Sequence, residues 1–477
     1  MARKKRRSRA KAASSTSSSR LPSGGSVGSG GLSDTKLSLW AQQSFAFWSS
    51  ENSIKGAKDI KLAAIEAAVD KGNVVRVAEM CAERGGLQSD FIRRKAWPLL
   101  LEAGGTDPEE EAAKSPKRGT PRAQLLHEFH MDIERSMFHF SCDKSLPRDL
   151  RVLKREALTA IILYVLKVDA RLHYYQGFHD VATVHLHVSG NDIRKASRTV
   201  LAASRLQFAD HHQRDFGTTI QVMNLLPLII QHFDQKVGAT LLQAEVGPMF
   251  ALAWVLTGFA HSVDDLDVTS RLYDIILASH PLLCLYLAAA LVLRPTTRAR
   301  LLKVAEEDCS MPTIHHFLQN IPPPTAPLTA KNSWAKRNEK YEKVRKRIAD
   351  RLASSGMPVS GAMYCPETRH EEEENCVDNL VESALVMMAR LPPSKLVRLG
   401  ERQDNPIIIP KESSARLPMD TRPAWQATMR WGTRRSRALR WPNWAISHPA
   451  ATTAVTVAAM AMMIVFVWTP HETKGFM

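Results

Sequence analysis

Leu158, Ile161, Ile162, Val165 and Leu166 recur at i, i+3, i+4, i+7 and i+8, the spacing of one apolar face of an α-helix. The same period runs almost unbroken from Leu37 to about Pro322, and no convincing series of alternating strand residues interrupts it. An all-α architecture is therefore expected, with one large multi-helix domain over residues 34–322. Within it the runs Val222–Phe233, Val246–Ala260 and Pro281–Leu293 carry few or no charges. They fall short of the ~20 residues that a bilayer core demands. Asp264, Asp265 and Asp267 also separate the last two. Buried core helices are expected rather than several membrane spans.

The rest of the chain divides by composition. Residues 1–33 are basic and then Ser- and Gly-rich, with almost nothing to bury, and predict a disordered arm. Residues 323–398 predict a helical extension. It holds a charged insert, Lys331–Arg351, and an amphipathic helix, Val377–Leu391, that stops before Pro392-Pro393. Residues 399–449, rich in Pro and Arg, read as a basic linker. Residues 450–468 contain no charge, and at ~1.5 Å per residue they reach close to the thickness of an endoplasmic reticulum bilayer. They are expected to form a single transmembrane tail anchor, with 469–477 as a short lumenal tail. The arginine excess before the span keeps the body of the protein in the cytosol.

The formal net charge is +16, but fourteen of those charges lie in residues 1–33 and 421–440. The near-neutral remainder offers no broad basic face, so no nucleic-acid partner is expected. Six cysteines without a CxxC pair argue against a disulfide scaffold or zinc ribbon. The sequence has no GxxxxGK[ST] and no HExxH. His179-Asp180 lacks the further ligands of a metal phosphohydrolase and reads as structural, as do the doublets His211-His212 and His315-His316. No metal site and no cofactor of its own are expected.

Three segments remain. Arg93–Leu100 places Arg93 and Trp97 on one helix face. Phe129–Arg135 sets Asp132 and Arg135 at i, i+3, where the carboxylate can fix the guanidinium's direction. His173–Asp180 presents Tyr174 and Gln176 from a turn after the apolar helix. Alone, each reads as a surface pair or a loop. In this order they resemble the TBC domain, the Rab GTPase-activating fold, whose pattern is Arg-xxx-Trp, apolar-xx-Asp-xx-Arg and Tyr-x-Gln. Trp254, Phe259 and His261, then RLYD at Arg271–Asp274 and SHP at Ser279–Pro281, extend the match over about residues 60–322. Phe129 stands where the family has an aliphatic residue.

The resemblance implies an activator rather than an enzyme in its own right. Arg135 would be the arginine finger supplied in trans, with Asp132 as its positioner. Gln176 would orient the attacking water, Tyr174 would pack beside it, and Arg93 and Trp97 would support the site. GTP and Mg²⁺ would be carried by the partner, a membrane-bound Rab-family GTPase. The anchor and the resemblance together imply the endoplasmic reticulum membrane and endoplasmic reticulum-to-Golgi traffic. The alternative is a catalytically inactive TBC scaffold or Rab-binding adaptor.

Overall fold

The computed structural model describes residues 51–103, 123–144, 146–326, 375–403 and 406–438. The basic arm, the insert at 331–351, the uncharged segment 450–468 and the tail beyond it lie outside the described residues. The chain divides into two units, 1–60 and 61–477. Of the first, only residues 51–60 are described, as the opening turns of the Glu51–Asp70 helix.

The described residues of the second unit are all-α. Their one pairing of extended backbone is a parallel bridge between Thr325 and Cys376. At its centre stand helices buried along nearly their whole length, of which Leu283–Val292 is apolar on every side while the others also bury polar residues paired within the fold. Every residue of Leu283–Val292 is buried, as are Val268 through Ala278 of Leu266–Ala278 and all but His187 of Phe178–Val188. Amphipathic helices surround them. In Arg148–Val168 the buried positions are Leu158, Ile161, Ile162, Val165 and Val168. That is the face set by the period, except that Leu166 is only half-buried.

Two of the charge-free runs are not the single helices expected. Val222–Phe233 breaks at Asn224, between the helices Gly217–Met223 and Leu225–Phe233. Val246–Ala260 becomes a 3₁₀ turn at Pro248–Ala251 and a short helix at Leu252–Leu256. Pro248 removes an N–H from any continuous ladder, and Phe259 takes a φ of +69°, which a right-handed helix cannot contain. Among the described residues no single helix is long and apolar enough to cross a membrane. Gln235–Gln243 and Pro248–Leu256 pass together by length and composition, but they are bent by 113°.

Val377–Arg390 forms as predicted, and it packs against both Leu283–Val292 and Pro423–Ala438, so it shares the core of the preceding helices. The Thr325 N–H donates to the Asn375 carbonyl at 2.8 Å and the Val377 N–H to the Thr325 carbonyl at 2.9 Å. Thr325 and residues 375–377, on either side of the stretch that is not described, are thus held together.

Residues 406–438, read as part of a linker, are instead folded. Two 3₁₀ turns lead into the Pro423–Ala438 helix, which lies on Val74–Ala82. Trp425 is fully buried, edge-on to His280 at 5.0 Å. The hydroxyls of Ser413 and Ser414 donate to the buried carboxylate of Asp210 at 3.0 and 2.7 Å. The cause is a helical period that high arginine content conceals. Ala424, Trp425, Thr428 and Gly432 share the inner face, while Arg430, Arg434 and Arg437 share the outer one. A β-carbon on Gly432 would stand 2.5 Å from the carbonyl oxygen of Leu385. Glycine is what lets the two helix backbones approach there.

Candidate functional site

The Ala123–Arg135 helix ends on Arg135, whose side chain is 64% exposed, while Asp132 one turn earlier is buried. Arg135 Nη2 donates to Asp132 Oδ1 at 3.0 Å, and Nε donates to the Met131 carbonyl at 3.2 Å. One edge of the guanidinium is held, and its remaining N–H groups have no partner among the described residues.

The other oxygen of Asp132 accepts the Tyr174 hydroxyl at 2.7 Å and lies 3.4 Å from His179 Nδ1. Phe129 packs edge-on against the Tyr174 ring at 5.5 Å. Burial alone would raise the Asp132 carboxyl. Hydrogen bonds from His179 and Tyr174, with the charges of His179 and Arg135, outweigh it and hold the carboxyl below its ordinary value. Its contribution to stability is therefore present at neutral pH and lost as pH falls through that lowered value.

Tyr174 and Gln176 stand on the turn before Phe178–Val188. Tyr174 and Tyr175 point into the core, whereas Gln176 is exposed with no hydrogen bond among the described residues. The turn closes at Gly177, with φ of +97°, and a β-carbon there would meet Thr257 Cγ2 at 3.0 Å. Gly177→Ala is expected to cost about 1–3 kcal/mol through this left-handed backbone and the crowding. Urea denaturation checks it; an unchanged midpoint would mean that the turn relaxes freely.

Asp132 therefore ties the Arg135 helix to the Gln176 turn. Behind the helix end, Arg155 donates to the carbonyls of Glu134 and Ser136, and Arg151 to those of Met137, Asp143 and Leu146. Arg151 also stacks on the exposed Phe138 ring at 3.9 Å. These cations satisfy carbonyls at and just beyond the helix C-terminus, where positive charge is favoured.

Arg93 and Trp97 go elsewhere. Both are buried on the Asp90–Leu100 helix and converge on Asp274, the last residue of the RLYD segment. Arg93 Nε and Nη2 reach its two oxygens at 2.9 and 3.1 Å, and Trp97 Nε1 donates at 2.9 Å. Their support is that of a core tie, with no hydrogen bond to Arg135 or Gln176.

The groups beyond Tyr174 beside Asp132 are His179 and Asp180, which the sequence offers only as a structural dipeptide, with His261 next in line. His179 lies between two carboxylates: its Nε2 is 3.3 Å from Asp180 Oδ1, whose other oxygen is 2.8 Å from His261 Nδ1. The available signal was position, since His179 and Asp180 occupy the first turn after the Gln176 loop and must point near it. The His211-His212 doublet is structural: burial pushes the two rings down to about 4 and about 3, and they bond Thr219 and the His173 carbonyl. Cys142, Asp143 and His187 bring three possible ligand atoms within 4.8 Å of one another. The Lys154 ammonium sits 3.3 Å from Asp143 Oδ1 and 3.5 Å from His187 Nδ1, so the cation serving that carboxylate is a lysine.

Residues 90–298 match the family model of the Rab-GTPase-TBC domain. The chain is 35% identical over 270 residues to TBC1 domain family member 20 of Homo sapiens, covering 55% of this chain and 62% of that protein. It is 35% identical over 256 residues to the protein of the same name from Bos taurus, covering 52% and 59%. It is 27% identical over 267 residues to the GTPase-activating protein gyp10 of Schizosaccharomyces pombe, covering 54% and 66%. The matches thus span roughly three-fifths of these relatives' own lengths.

Proposed function

We propose that this chain, which carries a Rab-GTPase-TBC domain over residues 90–298, is a GTPase-activating protein that accelerates GTP hydrolysis by a membrane-bound Rab-family GTPase. The reading is supported above all by Asp132. This one buried carboxylate accepts both Arg135 and Tyr174, so an exposed guanidinium and an exposed amide two residues beyond Tyr174 are set by the same anchor. The names of the relatives support it too, since gyp10 is a GTPase-activating protein.

The chemistry suits these groups. Charge redistributes around the γ-phosphoryl in the transition state, and an arginine supplied in trans stabilises it at the partner's nucleotide and Mg²⁺. Arginine suits the role because its planar guanidinium fork carries a positive charge and matches phosphate oxygens. Gln176 offers both a carbonyl acceptor and an amide donor, which is what holding a water in line requires. Asp132 and Tyr174 keep the two segments in register, so little orientation is left to be fixed at the moment of reaction.

Residues 450–468 serve as a single membrane span, holding the domain on the cytosolic side of the endoplasmic reticulum in endoplasmic reticulum-to-Golgi traffic. The support is their uncharged composition and the arginines before them. Co-anchoring with a lipidated GTPase raises effective concentration without any new contact, which suits a transient interface.

The test is single-turnover GTP hydrolysis by a panel of purified Rabs with the full chain, wild type against Gln176→Ala. Strong acceleration of one or two Rabs, weakened by the substitution, is expected and would identify the substrate. No acceleration by a chain shown to be folded would overturn the reading and leave a Rab-binding scaffold.

A further inference from the structure

Four titratable side chains from three separate segments stand in a row behind the guanidinium of Arg135. Asp132 Oδ1 holds Arg135 at 3.0 Å, while Asp132 Oδ2 faces His179 Nδ1 at 3.4 Å. His179 Nε2 faces Asp180 Oδ1 at 3.3 Å, and Asp180 Oδ2 faces His261 Nδ1 at 2.8 Å. Acid and base alternate along the whole line. Asp132, His179 and Asp180 are buried, whereas both ends open to water: the Arg135 side chain is 64% exposed and that of His261 60%.

We propose that His179, Asp180 and His261 are positioning residues for Arg135, acting through Asp132. This rests on the reading of Arg135 as a finger and names what holds it.

Asp132 has two oxygens and more than one claimant. Held at Oδ2 by the Tyr174 hydroxyl alone, the carboxylate could turn about that bond and release the guanidinium. With Tyr174 and His179 both against Oδ2, its plane is fixed and Oδ1 is left for Arg135. His179 has a carboxylate oxygen against each ring nitrogen, so Asp180 bounds the ring from behind. Asp180 itself sits in the first turn of Phe178–Val188, where a negative charge is favoured by the helix N-terminus.

His261 closes the row. Its backbone N–H donates to Thr257 Oγ1 at 3.0 Å, and its ring stacks on His139 with centroids 6.0 Å apart and planes 6° from parallel. His139 in turn bonds the Val263 carbonyl and follows Arg135 by four residues, on the loop that leaves the finger helix. The hydrogen bond to Asp180 raises the His261 ring above the ordinary histidine value against the pull of burial, and the charges of Asp180 and Asp132 add to it. The charge of Asp132 thus acts on His261 from the far side of His179.

Two measurements on the full chain test this. In the first, the Rab that the wild type accelerates best is used under single-turnover conditions with His179→Ala, His179→Gln and His261→Ala. His179→Ala is expected to lower the maximal rate roughly tenfold to a hundredfold, the scale of misplacing a catalytic group by about 1 Å. For His179→Ala the concentration for half-saturation is expected to stay unchanged, because His179 is buried behind Asp132. His179→Gln, which keeps a donor toward Asp132, recovers part of the loss, and His261→Ala shows a smaller loss of the same kind.

In the second, histidines labelled at Cε1 are titrated by NMR. The His261 midpoint should fall in Asp180→Asn and, by less, in Asp132→Asn. A residue that only fills space in the core would lower the folded fraction without moving either readout. A wild type active on a Rab, with folded His179→Ala equally fast, overturns the positioning role and leaves the finger intact. An unmoved His261 midpoint in Asp132→Asn overturns the coupled row whatever the rates. A folded wild type that accelerates no Rab removes the finger itself, and the positioning role falls with it.

Discussion

Arg135→Ala is expected to cut stimulated GTP hydrolysis by about 10³-fold or more, the scale at which arginine fingers act, while leaving the fold in place. The separation follows from geometry. The Arg135 side chain is largely exposed, and its one ion pair among the described residues is with a carboxylate that keeps the Tyr174 hydroxyl when the arginine is gone. Removing an exposed side chain of this kind is worth within about 0.5 kcal/mol in stability. Arg135→Lys is expected to recover little, because a lysine brings charge without the planar fork or the Nη2 contact that aims it. Single-turnover rates and thermal melts on the same preparations check both halves. An alanine variant that is folded and nearly as fast as wild type would mean that another group supplies the charge.

The sequence was legible where a signal is local. The buried face of Arg148–Val168 and the stop of Val377–Arg390 before Pro392 follow from spacing and from what proline does to a helix. The segments carrying Arg135 and Gln176 were visible for the same reason, as short patterns on single elements.

What lay hidden is non-local or masked. The Asp180–His261 contact joins residues 81 positions apart, and no spacing rule selects it from among the acids and histidines of the chain. The Arg93–Trp97 pair was read as support for the site because its partner, 181 and 177 positions away, was not visible. In Pro423–Ala438 the period is local but sparse. Small residues, Trp425 and Gly432 make the inner face, and arginines dominate the composition. The break at Pro248 was overlooked because hydrophobicity continues across it while backbone geometry does not.

Asp274→Ala is expected to be the most damaging substitution in the fold while leaving the chemistry of whatever remains folded untouched. Asp274 is fully buried on Leu266–Ala278 and receives four donors: Arg93 twice, Trp97 Nε1 and the Leu87 backbone N–H. Removing one partner of a buried pair costs about 3–5 kcal/mol. Each further donor left without an acceptor adds about 1–3 kcal/mol. Asp90 relieves only one edge of the guanidinium, at 2.8 Å. The sum approaches the whole stability of a typical domain, about 5–15 kcal/mol, so the variant should be largely unfolded at 37 °C. Urea denaturation of single and double variants separates charge burial from lost packing. If the cost is the stranded guanidinium, Arg93→Met combined with Asp274→Leu should be more stable than Asp274→Leu alone, because the double change leaves no buried charge to satisfy. If the double variant is instead less stable than either single one, the tie acts through shape and Asp274 is not its electrostatic centre. Rates normalised to folded protein should match wild type in every variant that folds, since this carboxylate bonds Arg93, Trp97 and Leu87 and makes no hydrogen bond to Arg135 or Gln176.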